Sequence, residues 1–219
     1  MIRLHHVPLA RSLRVMWLLE ELGLEYDVRY YSIRDGSMRS PEFLALSPAG
    51  RVPVLEHEGA VWVESAAIVQ MLCEIYPEAG LMPGPGHAER ARFLEMLSLS
   101  ETMSCLLENL NLNQVFLRPP ARPSATVVKL LNARLRAGLA AMEARMEGDY
   151  LLPSGFSAAD IMFAYGFELA CYYVDLDAYP RLMAYWARLR ARPAYAYAKA
   201  RDGAQDIYAQ DFYPVPEEG

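Results

Sequence analysis

A chain of 219 residues with 53% hydrophobic and 22% charged side chains has the profile of a folded globular protein, which excludes a disordered or fibrous one. Domains cluster near ~100–150 residues, so this length accommodates one large domain or two modest ones. The net charge is −6, with Lys and Arg scattered or paired with acids rather than gathered in a stripe, and this excludes a phosphate-backbone partner such as nucleic acid.

Ile2 to His6 reads as a short strand. The run RSLRVMWLLEELGLEY that follows is helical in pattern and stops at Gly23, a residue suited to a helix C-terminus. Its apolar part, VMWLL, ends in Glu20-Glu21 and lacks a small-residue cleavage site. No later stretch approaches the ~18 apolar residues of a membrane span, so a cytoplasmic protein without a membrane partner is expected. YDVRYYSI alternates as a strand does, and the resulting β-α-β order predicts two parallel strands with a right-handed crossover.

The polar stretch SIRDGSMRSPEFLALSPAG leaves room for one short helix, from Pro41 to Leu46. VPVLEH and AVWVE, split by the turn-like EGA, predict a hairpin; SAAIVQMLCEIY then forms a helix from Ser65 that stops at Pro77. Three prolines and three glycines in PEAGLMPGPGH break both helix and strand. The reading is therefore a first domain at 1–77, a linker at 78–87 and a second domain at 88–219. The GPG here follows no strand and has the wrong spacing for a nucleotide loop.

Beyond the linker every segment is helical: AERARFLEMLSLSETMSCLLENLNLNQVFL, ATVVKLLNARLRAGLAAMEARMEG, SAADIMFAYGFELACYY, RLMAYWARLRARP and AYAYAKARDG, a bundle of about five helices. The third is apolar all round, as a central buried helix is. Ser157 and Asp160 have the spacing of a capping box, a structural device that starts that helix. Cys73, Cys105 and Cys171 lie far apart in apolar contexts without a CxxC, and are expected as buried thiols of a reducing compartment.

No metal constellation emerges. His5 and His6 are neighbours on a strand and point to opposite faces. His57 and His87 lack partners at ligand spacing, and neither GxSxG nor HExxH occurs.

The β-α-β-α-β-β-α unit, the Pro/Gly linker and the helical second domain resemble the cytosolic glutathione transferase superfamily. The carriers of the likeness are RSLRVMWLLEELGLEY, SPAGRVPVL, ESAAI and FSAADI, in that order. The resemblance implies a thioredoxin-like first domain that binds glutathione as co-substrate, an all-helical second domain, and a homodimer with the long first helix of the bundle at its interface. It also implies that Pro53 follows a cis peptide bond, a form accessible at X-Pro bonds. Val52 would then offer its backbone N–H and C=O to the peptide part of glutathione.

In ESAAI the helix N-terminus presents unpaired amides and a partial positive charge. The resemblance places a carboxylate on Ser65 and Ala66, and the ammonium of the same γ-glutamyl group on Glu64. Arg51 is expected near the glycine carboxylate, with Arg39 a second candidate. The thiol activator departs from the common patterns: VPLARSLRV has no tyrosine and no cysteine. Ser12 is the hydroxyl at hand and resembles the serine of a bacterial SRSxR-type, serine-type subgroup. An alignment that puts the key position on Ala10 or Leu9 stays open, and Arg11 is a further candidate through its fixed charge. The second-substrate pocket is expected to draw on Met103, Leu106, Asn109 and Asn113 of the long helix and on Tyr208, Phe212 and Tyr213 of the tail.

The function so implied is conjugation of the glutathione thiolate to small hydrophobic electrophiles, as in detoxification. A glutathione-dependent disulfide reductase or isomerase on the same scaffold is the second reading, and a non-catalytic protein-interaction module the third.

Overall fold

The computed structural model describes residues 1–204 and 207–216. The chain forms two compact units: Met1–Arg90 joined by the segment 190–204, and Ala91–Leu189 joined by the C-terminal tail.

In the first unit β1 (Ile2–His6), α1 (Ser12–Glu21), β2 (Tyr26–Tyr30), α2 (Pro41–Leu46), β3 (Val54–His57), β4 (Ala60–Val63) and α3 (Ser65–Ile75) follow one another. The sheet runs β2-β1-β3-β4, with β1 and β2 parallel and the other pairs antiparallel. Glu58 and Gly59 close the β3–β4 hairpin with φ of 48° and 82°, the two-residue turn whose twist suits adjoining strands. Ser40 caps α2 by accepting from the Phe43 N–H, and Pro41 fills its first turn.

Helix α1 is buried at every position from Ser12 to Leu19. The sheet explains one side, and α8 (Pro193–Asp202) the other. Tyr195 meets Trp17 edge-on at 4.9 Å, and Arg192 grips Glu21 with two bonds of 2.7 Å. Burying side chains such as Trp17, Leu18 and Leu19 stabilises by about 1.5–3 kcal/mol each, so α8 is integral to this unit despite its place in the sequence.

The second unit holds α4 (Arg90–Gln114, whose first residue lies in the first unit), α5 (Ala125–Arg145), α6 (Ala158–Ala170) and α7 (Pro180–Arg190). All of α6 except Tyr165 and Glu168 is buried. Its start is the capping box expected at Ser157 and Asp160. The Asp160 carboxylate accepts from the Leu151 N–H at 2.9 Å, the Ser157 N–H at 2.7 Å, the Ser157 hydroxyl at 3.1 Å and the Tyr185 hydroxyl at 3.1 Å. Burial pushes this carboxyl up to about 6 against the pull of those donors.

The cysteines need correction. Cys73 is buried, and burial raises its thiol to about 12, but Cys105 and Cys171 are exposed. Cys105 stands on the outward face of α4, while Cys171 lies in the turn just past the end of α6.

Candidate glutathione site

The sheet register brings the expected site residues together. Val54 pairs with Val63 across the hairpin and with His5 of β1. Val52 and Pro53 lead directly into this end of β3, Glu64 and Ser65 follow directly from this end of β4, and Val7 follows β1 at the same end. The corner before β3, the start of α3 and the loop from β1 into α1 therefore share one edge of the sheet.

At that edge the Val52–Pro53 peptide is cis. Among the described residues neither backbone group of Val52 makes a hydrogen bond, whereas both groups of Arg51 are bonded to the Ser47 hydroxyl, at 3.1 and 2.9 Å. A half-buried N–H and C=O left in this state form a ready pair for an extended peptide ligand.

Glu64 is exposed and has φ of 71° and ψ of 114°. A non-glycine residue in that region costs about 1–3 kcal/mol, and such strain gathers at functional sites. The strained turn directs the chain straight into α3, so that the amides of its first turn open beside the Glu64 carboxylate. The Ala66 and Ala67 N–H groups have no hydrogen-bond partner among the described residues. An anion hole and an acidic side chain thus adjoin, which suits a zwitterion.

Ser65 is buried at 2% exposure, and its Oγ accepts from Arg14 Nη1 at 3.0 Å. Arg14 is fully buried. It is the residue sequence reasoning missed. Its cation lies behind the α3 N-terminus and adds to the positive field there. The available signal was its place one turn beyond Arg11, in the ARSLR stretch at 10–14.

Arg51 is exposed at the corner. Arg39 reaches the same corner: Gly50, at φ 63°, precedes Arg51, and a Cβ there would stand 2.6 Å from Arg39 Nη1. Glycine at 50 answers both demands, the left-handed backbone and the close guanidinium.

Ser12 is placed differently from the expectation of a hydroxyl facing a ligand. It has no exposed surface, and its Oγ lies 3.4 Å from both the N and the O of Val7. The turn in which the Ala10 N–H bonds the Val7 carbonyl folds the chain back and encloses it. Leu9, Ala10 and Arg11 are half-exposed instead, and Arg11 is the N-cap residue directly before α1.

Of the expected second-substrate residues, Met103 is buried at 2% exposure beside Gly138 of α5. This corrects its reading as a lining residue. Leu106 is half-buried, and Asn109 and Asn113 turn their amides back onto α4, donating to the Cys105 and Asn109 carbonyls. In the tail, Tyr208 stacks on Tyr172 at 3.7 Å, Tyr213 is buried and Phe212 is 43% exposed. His5 and His6 do face opposite sides, toward Glu56 and Asp202 respectively. Among the described residues no group of three or more His, Cys, Asp and Glu side chains is arranged to hold a metal, and no helix is long and apolar enough to cross a membrane.

The glutathione S-transferase N-terminal domain family matches residues 10–75, and the glutathione S-transferase C-terminal domain family matches residues 110–193. The Oryza sativa subsp. japonica protein named "Probable glutathione S-transferase GSTF2" is 31% identical over 189 residues, which cover 83% of this chain and 87% of that protein. The chain belongs to the glutathione S-transferase family. A solved glutathione transferase from Methylococcus capsulatus str. Bath superposes with a TM-score of 0.80 at 29% identity, covering 92% of this chain and 98% of that one. Glutathione S-transferase 3 of Schizosaccharomyces pombe shares 41% identity over a shorter stretch of 76 residues, 35% of this chain and 31% of that protein. The transferase is thus a thioredoxin-like domain followed by an all-helical one, with glutathione as the family's co-substrate.

Proposed function

We propose that this transferase joins the glutathione sulfur to small hydrophobic electrophiles. A carbon–sulfur bond forms as the thiolate attacks; in a substitution the leaving group departs with the pair of its bond to carbon, and in an addition the π pair of the electrophile's double bond moves to the far atom, which takes a proton from water. The observation that carries the reading is the shared sheet edge: an unspent backbone pair at Val52 lies beside the strained Glu64 and the open amides of α3. In this reading Val52 holds the cysteinyl backbone, Ser65 and Ala66 the γ-glutamyl carboxylate, Glu64 its ammonium, and Arg51 with Arg39 the glycine carboxylate.

The thiolate is assigned to Arg11. Free thiols have pKa near 8.5, so about 3% is thiolate at neutral pH. A guanidinium at the start of a helix supplies a fixed charge and a dipole of the same sign. Ser12 keeps a supporting role, holding Val7 and so the turn that carries Arg11. The finer placement among serine-type, SRSxR-like bacterial members rests on ARSLR, and the Arg14 contact gives the last arginine of that pattern a structural purpose. A homodimer belongs to the same proposal, since α4 leaves Leu94 and Leu112 exposed. Phe212 and the Tyr172–Tyr208 stack offer apolar area for an electrophile.

Calorimetry with glutathione and with cysteinylglycine, which lacks the γ-glutamyl group, tests the reading. Glutathione should bind, and cysteinylglycine should bind at least about tenfold more weakly. Absence of glutathione binding at millimolar concentration would leave the interaction-module reading. Faster turnover of small mixed disulfides than of electrophiles would favour the reductase.

A further inference from the structure

The loop from β1 into α1 is held by a residue from the other end of the chain. Asp202, the last residue of α8, is 1% exposed. Its Oδ1 accepts from the Leu9 N–H at 3.0 Å, and its backbone carbonyl accepts from His6 Nε2 at 2.9 Å. The same imidazole nitrogen stands 3.3 Å from Oδ1, and Lys199 Nζ stands 3.4 Å from Oδ2. Around this point the chain ends interlock further. The Tyr30 hydroxyl donates to the Arg201 carbonyl at 2.6 Å, and Gly203 lies so close to Pro8 that a Cβ would come within 3.3 Å of its ring.

Two features indicate what the carboxylate is for. A buried acid at a helix C-terminus stands at the unfavourable negative end of the dipole, and within α8 its side chain meets only the Lys199 ammonium, at 3.4 Å. Leu9 has φ of 61°, a conformation leucine resists, and its N–H is bonded to that carboxylate. We infer that Asp202 is a positioning residue of the transferase: it fixes Leu9 in the left-handed turn and thereby sets where Ala10 and Arg11 stand at the start of α1. This rests on the proposed assignment of the thiolate to that loop. Asp202 itself touches Leu9, His6 and Lys199, and acts on the thiol through the loop.

The test compares Asp202→Ala, which removes the acceptor, with Asp202→Asn, which keeps an oxygen for the Leu9 N–H. Bound glutathione is followed by its ultraviolet thiolate band, alongside turnover and glutathione affinity. In Asp202→Ala the bound thiol pKa should rise by up to about one unit and kcat at neutral pH should fall by several-fold to about tenfold, with glutathione Kd within about threefold of wild type. Asp202→Asn should recover most of both. A folded Asp202→Ala protein with wild-type thiol pKa and kcat overturns the inference, and so does an asparagine variant as impaired as alanine. If Asp202→Ala does not fold, hydrogen exchange on the wild-type protein decides. A Leu9 amide protected like those of β1 supports the clamp, and one exchanging at the rate of an exposed loop overturns it. A wild-type protein that binds no glutathione defeats the proposed function instead, and the clamp is then judged by that same Leu9 amide.

Discussion

Alanine at position 12 removes a hydroxyl whose hydrogen bonds both run to Val7, at 3.4 Å, the long end of the useful range. A net bond contributes about 0.5–1.5 kcal/mol and long ones less, so Ser12→Ala should cost about 1 kcal/mol in all. For a chain of this size that lowers Tm by about 2–4 °C. Because Ser12 exposes no surface, the bound thiol should keep its pKa to within a few tenths of a unit. Alanine at position 11 should do the reverse. A unit charge about 5 Å from a thiolate interacts by about 3 kcal/mol at an effective dielectric of 20 and by less than 1 kcal/mol in water. Half-exposure and solvent screening place Arg11 between these, at about 1–2 kcal/mol, or about one pKa unit. Turnover at neutral pH should then fall up to about tenfold, while Tm moves little. Both variants can be followed by thermal melts and by pH titration of the thiolate absorbance. The reasoning is refuted if Ser12→Ala raises the thiol pKa as much as Arg11→Ala does while melting like wild type.

Three further outcomes follow from the geometry. Asp160→Ala should destabilise by about 3–5 kcal/mol, because four buried donors lose one acceptor. The Asp160 carboxyl is raised to about 6 in the folded state, so its contribution is fully present below about pH 4 and is lost as pH rises through 6. The loss runs at up to about 1.4 kcal/mol per pH unit. Urea unfolding should therefore show a larger cost of Asp160→Ala at pH 4 than at pH 7, and an equal cost at both would contradict this. Glu64→Gly relieves the 71° φ and should leave stability unchanged or raised by up to about 1 kcal/mol, while weakening glutathione binding by about tenfold. A clear loss of stability would show that Glu64 is not strained. An aromatic disulfide reagent should titrate Cys105 and Cys171 in the native protein and Cys73 only after unfolding, and three fast native thiols would contradict the burial of Cys73.

Local chemistry made much of the fold legible. Pro41 after Ser40 announces α2, Glu58-Gly59 announces the hairpin, and Ser157 with Asp160 starts α6 where the spacing places it. Val52-Pro53 and Glu64-Ser65, singled out through the family resemblance, stand at the same end of the sheet in the fold, because an X-Pro corner and a helix start leave marks in adjacent residues. What stayed hidden depends on contacts distant in sequence. Arg14 reads as a surface arginine on a helix, and only the fold brings it to Ser65, 51 residues away. Asp202 reads as the polar end of a terminal helix, yet it meets Leu9 across 193 residues. Ser12 reads as a ligand hydroxyl until the Val7–Ala10 turn closes over it, and the exposure of Cys105 turns on which face of α4 looks inward.

The most direct test of the account is a pH titration of the ultraviolet difference absorbance of glutathione bound to the wild-type protein. The account predicts a saturable thiolate signal with a pKa at least about one unit below that of free glutathione. A saturable glutathione complex whose thiol titrates like the free peptide would contradict thiolate activation at the β1–α1 loop, and with it the central claim.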